Sequence, residues 1–232
     1  MKKRGKKYIE LLNKIDKSKL YSKEDAIKLL KETNLCNFDA SVELAIKLNI
    51  DTKKADQQIR GATVLPNGIG KNKKVVVLAK GEQAEAAKKA LADYVGENDL
   101  IEKIEKEKWL DFDVLIATPE MMPALSKIGK FLGPKGLMPN PKTGTVTTEV
   151  KKAVEDVKKG RIEYRTDSYG IIHVIMGKVS FDEQKLLENL IYFIELTLKN
   201  KPSTIKGVYV KSISVSTTMG PSIKIDINSF DK

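Results

Sequence analysis

One histidine, one cysteine and a close pair of carboxylates are the residues through which this chain could do acid–base, covalent or metal chemistry. His173 lies in Ile172-His-Val174, where strand alternation turns it away from its two apolar neighbours. A general base needs a proton donor within hydrogen-bond reach, and no nucleophile partner is evident, so a surface or contact histidine is expected. Cys36 is alone, which rules out an internal disulfide and a cysteine-based metal cluster. Asp111 and Asp113 flank Phe112 before an apolar run, and nothing gathers beside them to build a metal site. Gly136-Leu-Met-Pro-Asn-Pro-Lys-Thr143 imitates a phosphate-cradling loop, but Pro141 stands where the last glycine belongs. Proline has no N–H to offer a phosphate and its φ is fixed. Gly68-Ile-Gly70 precedes its strand, so it is no dinucleotide fingerprint. No catalytic constellation, cofactor or metal is implied.

Other residues are suited to holding a polyanion. Gly129-Lys-Phe-Leu-Gly-Pro-Lys-Gly-Leu-Met-Pro-Asn-Pro-Lys-Thr-Gly-Thr-Val146 sits in a window, Met121 to Thr148, without Asp or Glu. The window carries Lys127, Lys130, Lys135 and Lys142. Its glycines and prolines forbid a continuous helix or a central strand, so the lysines ride on a stiff loop. Ser214-Val-Ser-Thr-Thr-Met-Gly-Pro221 offers hydroxyls and backbone to phosphate and ribose, with a glycine for close approach. Phe38 begins a strand, where an aromatic usually joins the core. Arg165 and Asp167 flank a hairpin turn, the ordinary place for a surface ion pair.

The whole-chain figures agree. Net charge is +11 and the isoelectric point about 9.4, which concentrates anions around the protein. The 41% hydrophobic content suits a globular chain with a real core. No run of about twenty apolar residues exists to span a bilayer. Met1-Lys-Lys-Arg-Gly-Lys-Lys7 leads into a mixed helix rather than an apolar signal core, so a cytoplasmic setting is expected.

The elements that position these residues come in two dialects. Tyr8, Ile9, Leu11, Leu12 and Ile15 recur at helical spacing, and Ser22 caps a second helix with Asp25 three residues on. From Val42, period two sets Val42, Leu44, Ile46, Leu48 and Ile50 on one side and Ser41, Glu43, Ala45, Lys47 and Asn49 on the other. After Leu65-Pro-Asn-Gly-Ile-Gly-Lys71 the pattern changes. Val75–Ala79 and Asp113–Ala117 read as strands covered on both faces. An alanine-rich helix is expected over Glu82–Tyr94, one opening at Pro119, and one from about Thr147 to Lys158. Period two returns after Gly160, through Ile162, Tyr164 and Thr166, a turn at Asp167–Gly170, and Ile172, Val174 and Met176. A long helix spans Asp182–Lys199. Val208 and Val210 share one parity, Ile213 and Val215 the other, which predicts a bulge near Lys211-Ser212. Ile223, Ile225 and Ile227 form a last strand.

The outer thirds thus read as a half-buried antiparallel layer and the middle as a buried parallel one. An α+β protein of two domains is expected. Residues 1–67 and 160–232 make a discontinuous antiparallel sheet domain of split βαβ type, and residues 68–159 a Rossmann-like three-layer α/β insert. The discontinuous part has 25 basic and 17 acidic residues, net +8; the insert has 17 and 14, net +3.

Gly129–Val146, Thr217-Thr-Met-Gly-Pro221 and Gly160-Arg-Ile-Glu-Tyr-Arg165 resemble the ribosomal protein L-one family in its bacterial form, over essentially the whole chain. The resemblance implies binding to large-subunit rRNA at the mobile stalk beside the tRNA exit site, help in releasing deacylated tRNA, and repression of translation from the protein's own operon mRNA. It implies a monomer away from the ribosome and no membrane partner. Matched residue by residue, the implied RNA surface comprises Phe38, Ser41, Glu43, Lys47, Arg165, Asp167, His173, Ser212, Thr218, Met219 and Gly220. Asn37 stands where relatives often carry a basic residue.

Overall fold

The computed structural model describes residues 5–54 and 56–230; Met1–Arg4, the start of the basic N-terminal run, lie outside them. Along the chain come α1 (Lys6–Asn13), α2 (Lys23–Glu32), β1 (Ser41–Leu48), β2 (Arg60–Val64), β3 (Val75–Leu78), α3 (Glu82–Lys89), β4 (Tyr94–Gly96) and α4 (Asn98–Glu107). There follow β5 (Val114–Ala117), α5 (Met122–Lys127), α6 (Gly129–Leu132), α7 (Val150–Lys158), β6 (Arg161–Arg165), β7 (Ile171–Lys178), α8 (Glu183–Lys199), β8 (Val210–Thr217) and β9 (Ile223–Ile225). The protein is mixed α/β, and its two larger sheets are a four-stranded antiparallel one and a three-stranded parallel one. It divides into two compact units: residues up to Arg60, Leu65–Gly70 and residues from Ile162 onward in the first; Gly61–Val64 and Lys71–Arg161 in the second.

In the first unit β1 is central to an antiparallel sheet of order β7-β1-β8-β9. Its alternation buries Val42, Leu44, Ile46 and Leu48. These pack with Ile172, Val174, Ile213, Val215, Ile223 and Ile225 from the neighbouring strands, and with Ile27 and Leu30 of α2 and Leu186, Leu190, Phe193 and Ile194 of α8. Burying each such side chain stabilises the unit by about 1.5–3 kcal/mol. Helix α2 starts where Ser22 predicts: its hydroxyl accepts from the Asp25 N–H at 3.1 Å and donates to the Asp25 carboxylate at 2.9 Å. Lys47 faces Ser212 while Leu48 faces Val210, so Lys211 is the extra residue of a bulge where the parity changes.

Asn189, fully buried on α8, ties this unit together. Its amide donates to Met176 O at 2.8 Å and Gly68 O at 3.0 Å, and its oxygen accepts from Asn67 N–H at 3.1 Å. The last strand is shorter than its pattern predicts. It ends at Ile225, and Ile227 opens a 3-10 turn because Asp226 captures the Asn228 N–H with its carboxylate and the Ser229 hydroxyl with its carbonyl.

In the second unit β4, β3 and β5 run parallel, and Val75–Leu78 is buried throughout. Alternate residues face opposite layers. Val76, Leu78 and Leu115 meet Ile101, Ile104, Leu125 and Ile128, whereas Val75, Val77 and Ile116 meet Ala87, Val150, Val154 and Val157. The helix expected over Glu82–Tyr94 stops at Lys89. Leu91 takes φ +61°, and Asp93 exchanges bonds with Val75, its N–H to Val75 O and its carboxylate from Val75 N–H. Tyr94 therefore begins a strand: pairing with β3 outweighs the helix propensity of the alanine-rich segment. Helix α4 buries only Ile101 and Ile104, and because most of its ten residues are polar it leaves little apolar periodicity in the sequence.

Candidate nucleic-acid interface

The period that buries half of β1 leaves its other half open, and strand pairing turns that half into a grid. Glu43 lies between Ile175 of β7 and Ser216 of β8. Ala45 lies between His173 and Ser214, and Lys224 of β9 extends that row. Lys47 lies between Ile171 and Ser212. Ser41, Glu43, Lys47, His173 and Ser212 thus share one face, and none of them is buried. Such a face offers ammonium for phosphate, hydroxyls for phosphate or ribose, and one carboxylate. A carboxylate repels phosphate but accepts hydrogen bonds from ribose hydroxyls and base amino groups, which is the chemistry Glu43 brings to this face.

The turn after β8 flanks the grid at Ser41. The Thr218 N–H donates to Ser41 O at 3.0 Å, and the Thr218 hydroxyl accepts from the Ser41 N–H at 3.1 Å. Thr218 is consequently a strut as well as a surface group. Met219 takes φ +63°, a left-handed conformation costing about 1 kcal/mol for a residue with a side chain, and its side chain is 73% exposed. Gly220 is required beside it, because a Cβ there would run into the Thr217 hydroxyl. Beyond Met219 and Gly220 a cavity of about 710 Å³ is lined by Leu35, Lys6, Lys7 and Tyr8. Phe38 is 61% exposed, not in the core as its strand-end position predicts. The strand begins at Ser41, so alternation does not govern Phe38, and Asp39 holds the approach by accepting from Ser180 N–H and hydroxyl.

Arg165, Asp167 and His173 meet at the β6–β7 turn, where with Arg60, Gln58 and Glu163 they line a cleft of about 730 Å³. Asp167 shows no ion pair with Arg165 among the described residues. Its Oδ1 accepts from the N–H groups of Ile171 and Tyr169, each at 2.8 Å, and its Oδ2 lies 3.5 Å from His173 Nε2. The Ile171 N–H, then that of Tyr169, with His173 adding less, holds this carboxyl below its usual range. Arg60, Lys224, Ser214 and Ser216 also belong to this surface. The two serines carried a signal, since they share parity with Ser212. Arg60 carried none, because only tertiary folding brings it to the cleft.

In the second unit, Lys71 and Lys74 bond Asp113 and Asp111 at 2.6 and 2.7 Å, which accounts for those carboxylates as strand-end ion pairs. The Lys71 ammonium, more than any other group, keeps the Asp113 carboxyl below the usual range. Among the described residues no cluster of three or more His, Cys, Asp or Glu could hold a metal, and no helix is long and apolar enough to cross a membrane.

A one-sided sheet presenting hydroxyls, an ammonium and exposed Phe38 and Met219 defines a binding protein of the polyanion-recognising class. The chain belongs to the ribosomal protein L1p/L10e family, which it matches over residues 29–221. It is 61% identical over 224 residues to the large ribosomal subunit protein uL1 of Onion yellows phytoplasma (strain OY-M), covering 97% of each chain. It is a ribosomal, rRNA-binding protein and not an enzyme.

Proposed function

We propose that the protein is a structural constituent of the large ribosomal subunit that binds large-subunit rRNA at the mobile stalk, near the tRNA exit site. There it aids release of deacylated tRNA, and off the ribosome it acts as a monomeric repressor of its own operon mRNA. In this reading the RNA-binding part is the discontinuous domain 1–67 plus 160–232, an antiparallel sheet domain carrying a Rossmann-like insert, 68–159. Phe38, Ser41, Glu43, Lys47, Arg165, Asp167, His173, Ser212, Thr218, Met219 and Gly220 contact the RNA. The observation that carries the reading is the registered polar grid on β7, β1 and β8, flanked by Met219 held outward in a left-handed turn.

The grid supplies both kinds of contact an RNA needs. Lys47 and Arg165 neutralise phosphates, which positions the chain, while Glu43 and the serine hydroxyls meet ribose and base edges, which selects it. Exposed Phe38 and Met219 offer apolar faces to unstacked bases. One surface then serves rRNA and mRNA in turn, so repression follows from competition between the two. Binding of a stalk rRNA fragment to the full chain and to Met219→Asp, followed by competition with the operon leader, tests this. The substitution should cost at least tenfold in affinity with little change in melting temperature, and the leader should displace the rRNA. Unchanged affinity, or two RNAs bound at once, would sink it.

A further inference from the structure

Helix α1 borders two cavities of the first unit, and one of its side chains, Tyr8, lines both. The helix is amphipathic, yet none of its residues is fully buried. The larger cavity, of about 710 Å³, has Tyr8 and Leu35 as apolar lining, Met219 and Gly220 from the turn after β8, and the exposed Lys6 and Lys7. Its volume falls in the range of about 300–1,000 Å³ usual for ligand sites, and among the described residues no acid lines it. The smaller cavity, of about 330 Å³, lies against Lys17, Lys19, Ser222 and Lys224. Its one acid, Asp16, is already engaged: the carboxylate accepts from the Ser18 N–H at 2.9 Å and from the Ser18 hydroxyl at 2.6 Å. Lys224 also extends the row of His173, Ala45 and Ser214 on the open sheet face.

The larger cavity is held in shape. The Cys36 thiol donates to Thr218 O at 3.2 Å, which ties the segment carrying Leu35 to the turn carrying Met219. The left-handed backbone of Met219 and the close approach that only Gly220 allows fix the other side. An aromatic ring and a polarisable thioether in one cavity suit a flat aromatic group. Lysines beside it suit an anion. A nucleotide of an unpaired RNA strand is both at once. An acidic peptide answers the lysines but brings no flat group to the ring and the thioether. Because Met219 and Gly220 also flank the sheet face, an RNA held on that face reaches this cavity without a second partner.

We propose that Tyr8, Leu35 and Met219 form a seat for one unstacked nucleobase of the bound RNA, with Lys6 and Lys7 in that cavity and Lys17 and Lys19 in its neighbour taking the flanking phosphates. The proposal rests on the reading that the sheet face binds RNA and extends that surface to α1. The test uses the full chain and a stalk rRNA fragment. Tyr8→Leu fills space without a π-face and should bind about tenfold more weakly, whereas Tyr8→Phe keeps the ring and should bind as wild type does. Lys17 and Lys19 are exposed, so changing both to Gln leaves the fold intact; it should lower the slope of log affinity against log salt by about 1.5. The Met219 methyl, labelled with ¹³C, should move upfield when RNA binds, because a stacked base shields it. Wild-type affinity in Tyr8→Leu, or a Met219 methyl that RNA leaves in place, overturns the seat. So does a methyl that moves with protein concentration in the absence of RNA, which marks a second copy of the chain as the occupant, or one that moves with an acidic leucine-rich peptide instead of RNA. Met219→Asp keeps the two readings apart. If it weakens the fragment while Tyr8→Leu does not, the seat fails and the sheet-face reading stands; if neither weakens it, both fail.

Discussion

The antiparallel sheet of the first unit is built from strands that alternate apolar and polar residues, the parallel sheet of the second from continuously apolar ones, and the two offer a partner different things. In β1 every second residue is buried, and the intervening ones form a wide face without a helix over it. In β3 all four residues are buried, because helices α4 and α5 lie on one side and α3 and α7 on the other. A sheet sandwiched between helices has no face to give. Whatever the second unit binds must meet its loops and the outer faces of its helices, where Lys127 ends α5, Lys130 lies on α6, and Lys135 and Lys142 follow. A one-sided sheet can read shape and hydrogen-bond pattern across several strands; a loop on a covered sheet can do little more than supply charge.

The largest expected difference comes from a carboxylate placed in each sheet. Val77→Asp puts an unpaired charge in a fully buried strand and should destabilise the second unit by more than about 4 kcal/mol, seen as loss of its transition in a thermal melt. Ala45→Asp sits in the middle of the open grid and should change stability by no more than about 1 kcal/mol, while RNA affinity falls at least tenfold. Equal destabilisation by the two substitutions would abolish the contrast between the sheets.

Asn189→Leu removes three hydrogen bonds at the centre of the first unit and strands Met176 O and Gly68 O. Each buried group left without a partner costs about 1–3 kcal/mol, so the midpoint in urea should fall substantially. Gly220→Ala should cost about 1–3 kcal/mol through overpacking against Thr217 and weaken RNA binding by moving Met219. If its affinity survives intact, the turn does not present Met219 to RNA.

Phe38→Ala sharpens the comparison at the level of one ring. Stability should change by no more than about 0.5 kcal/mol, whereas loss of base stacking should cost about 1–3 kcal/mol of RNA binding, read by titration calorimetry. The smallest effect concerns Asp167. Its folded pKa lies below the ordinary 3.8 because it accepts from Ile171 and Tyr169. Its contribution is therefore present above that ordinary value and is lost as pH falls through the lower folded one. Melting curves of wild type and Asp167→Asn from pH 6 down to pH 3 should converge at the acid end; a gap that widens there contradicts the assignment.

Much of this was legible in residue order because local rules carried it. Alternation alone turned Ser41, Glu43 and Lys47 outward and set His173 opposite to Ile172 and Val174, since the pleat allows no other arrangement once one side is apolar. The parity change at Lys211 and the Ser22 cap follow from equally short-range constraints, whereas the glycine–proline run, read as a loop, opens with a turn of helix at Gly129–Leu132 that carries Lys130. Where local rules compete with distant partners, residue order misleads. The segment Ala90–Tyr94 has helix-forming neighbours but pairs with Val75 instead. Ile227 continues an apolar alternation but is captured by Asp226. Phe38 has the character of a core residue but lies outside the strand that would bury it. Lateral order was decided by tertiary structure alone. Strand β1 draws β7, about 130 residues away, to one edge and β8, about 170 away, to the other. Only that pairing places His173, Ala45, Ser214 and Lys224 in one row. Which strands become neighbours depends on how apolar faces bury one another across the whole unit, a sum over many distant contacts that no short window of sequence contains.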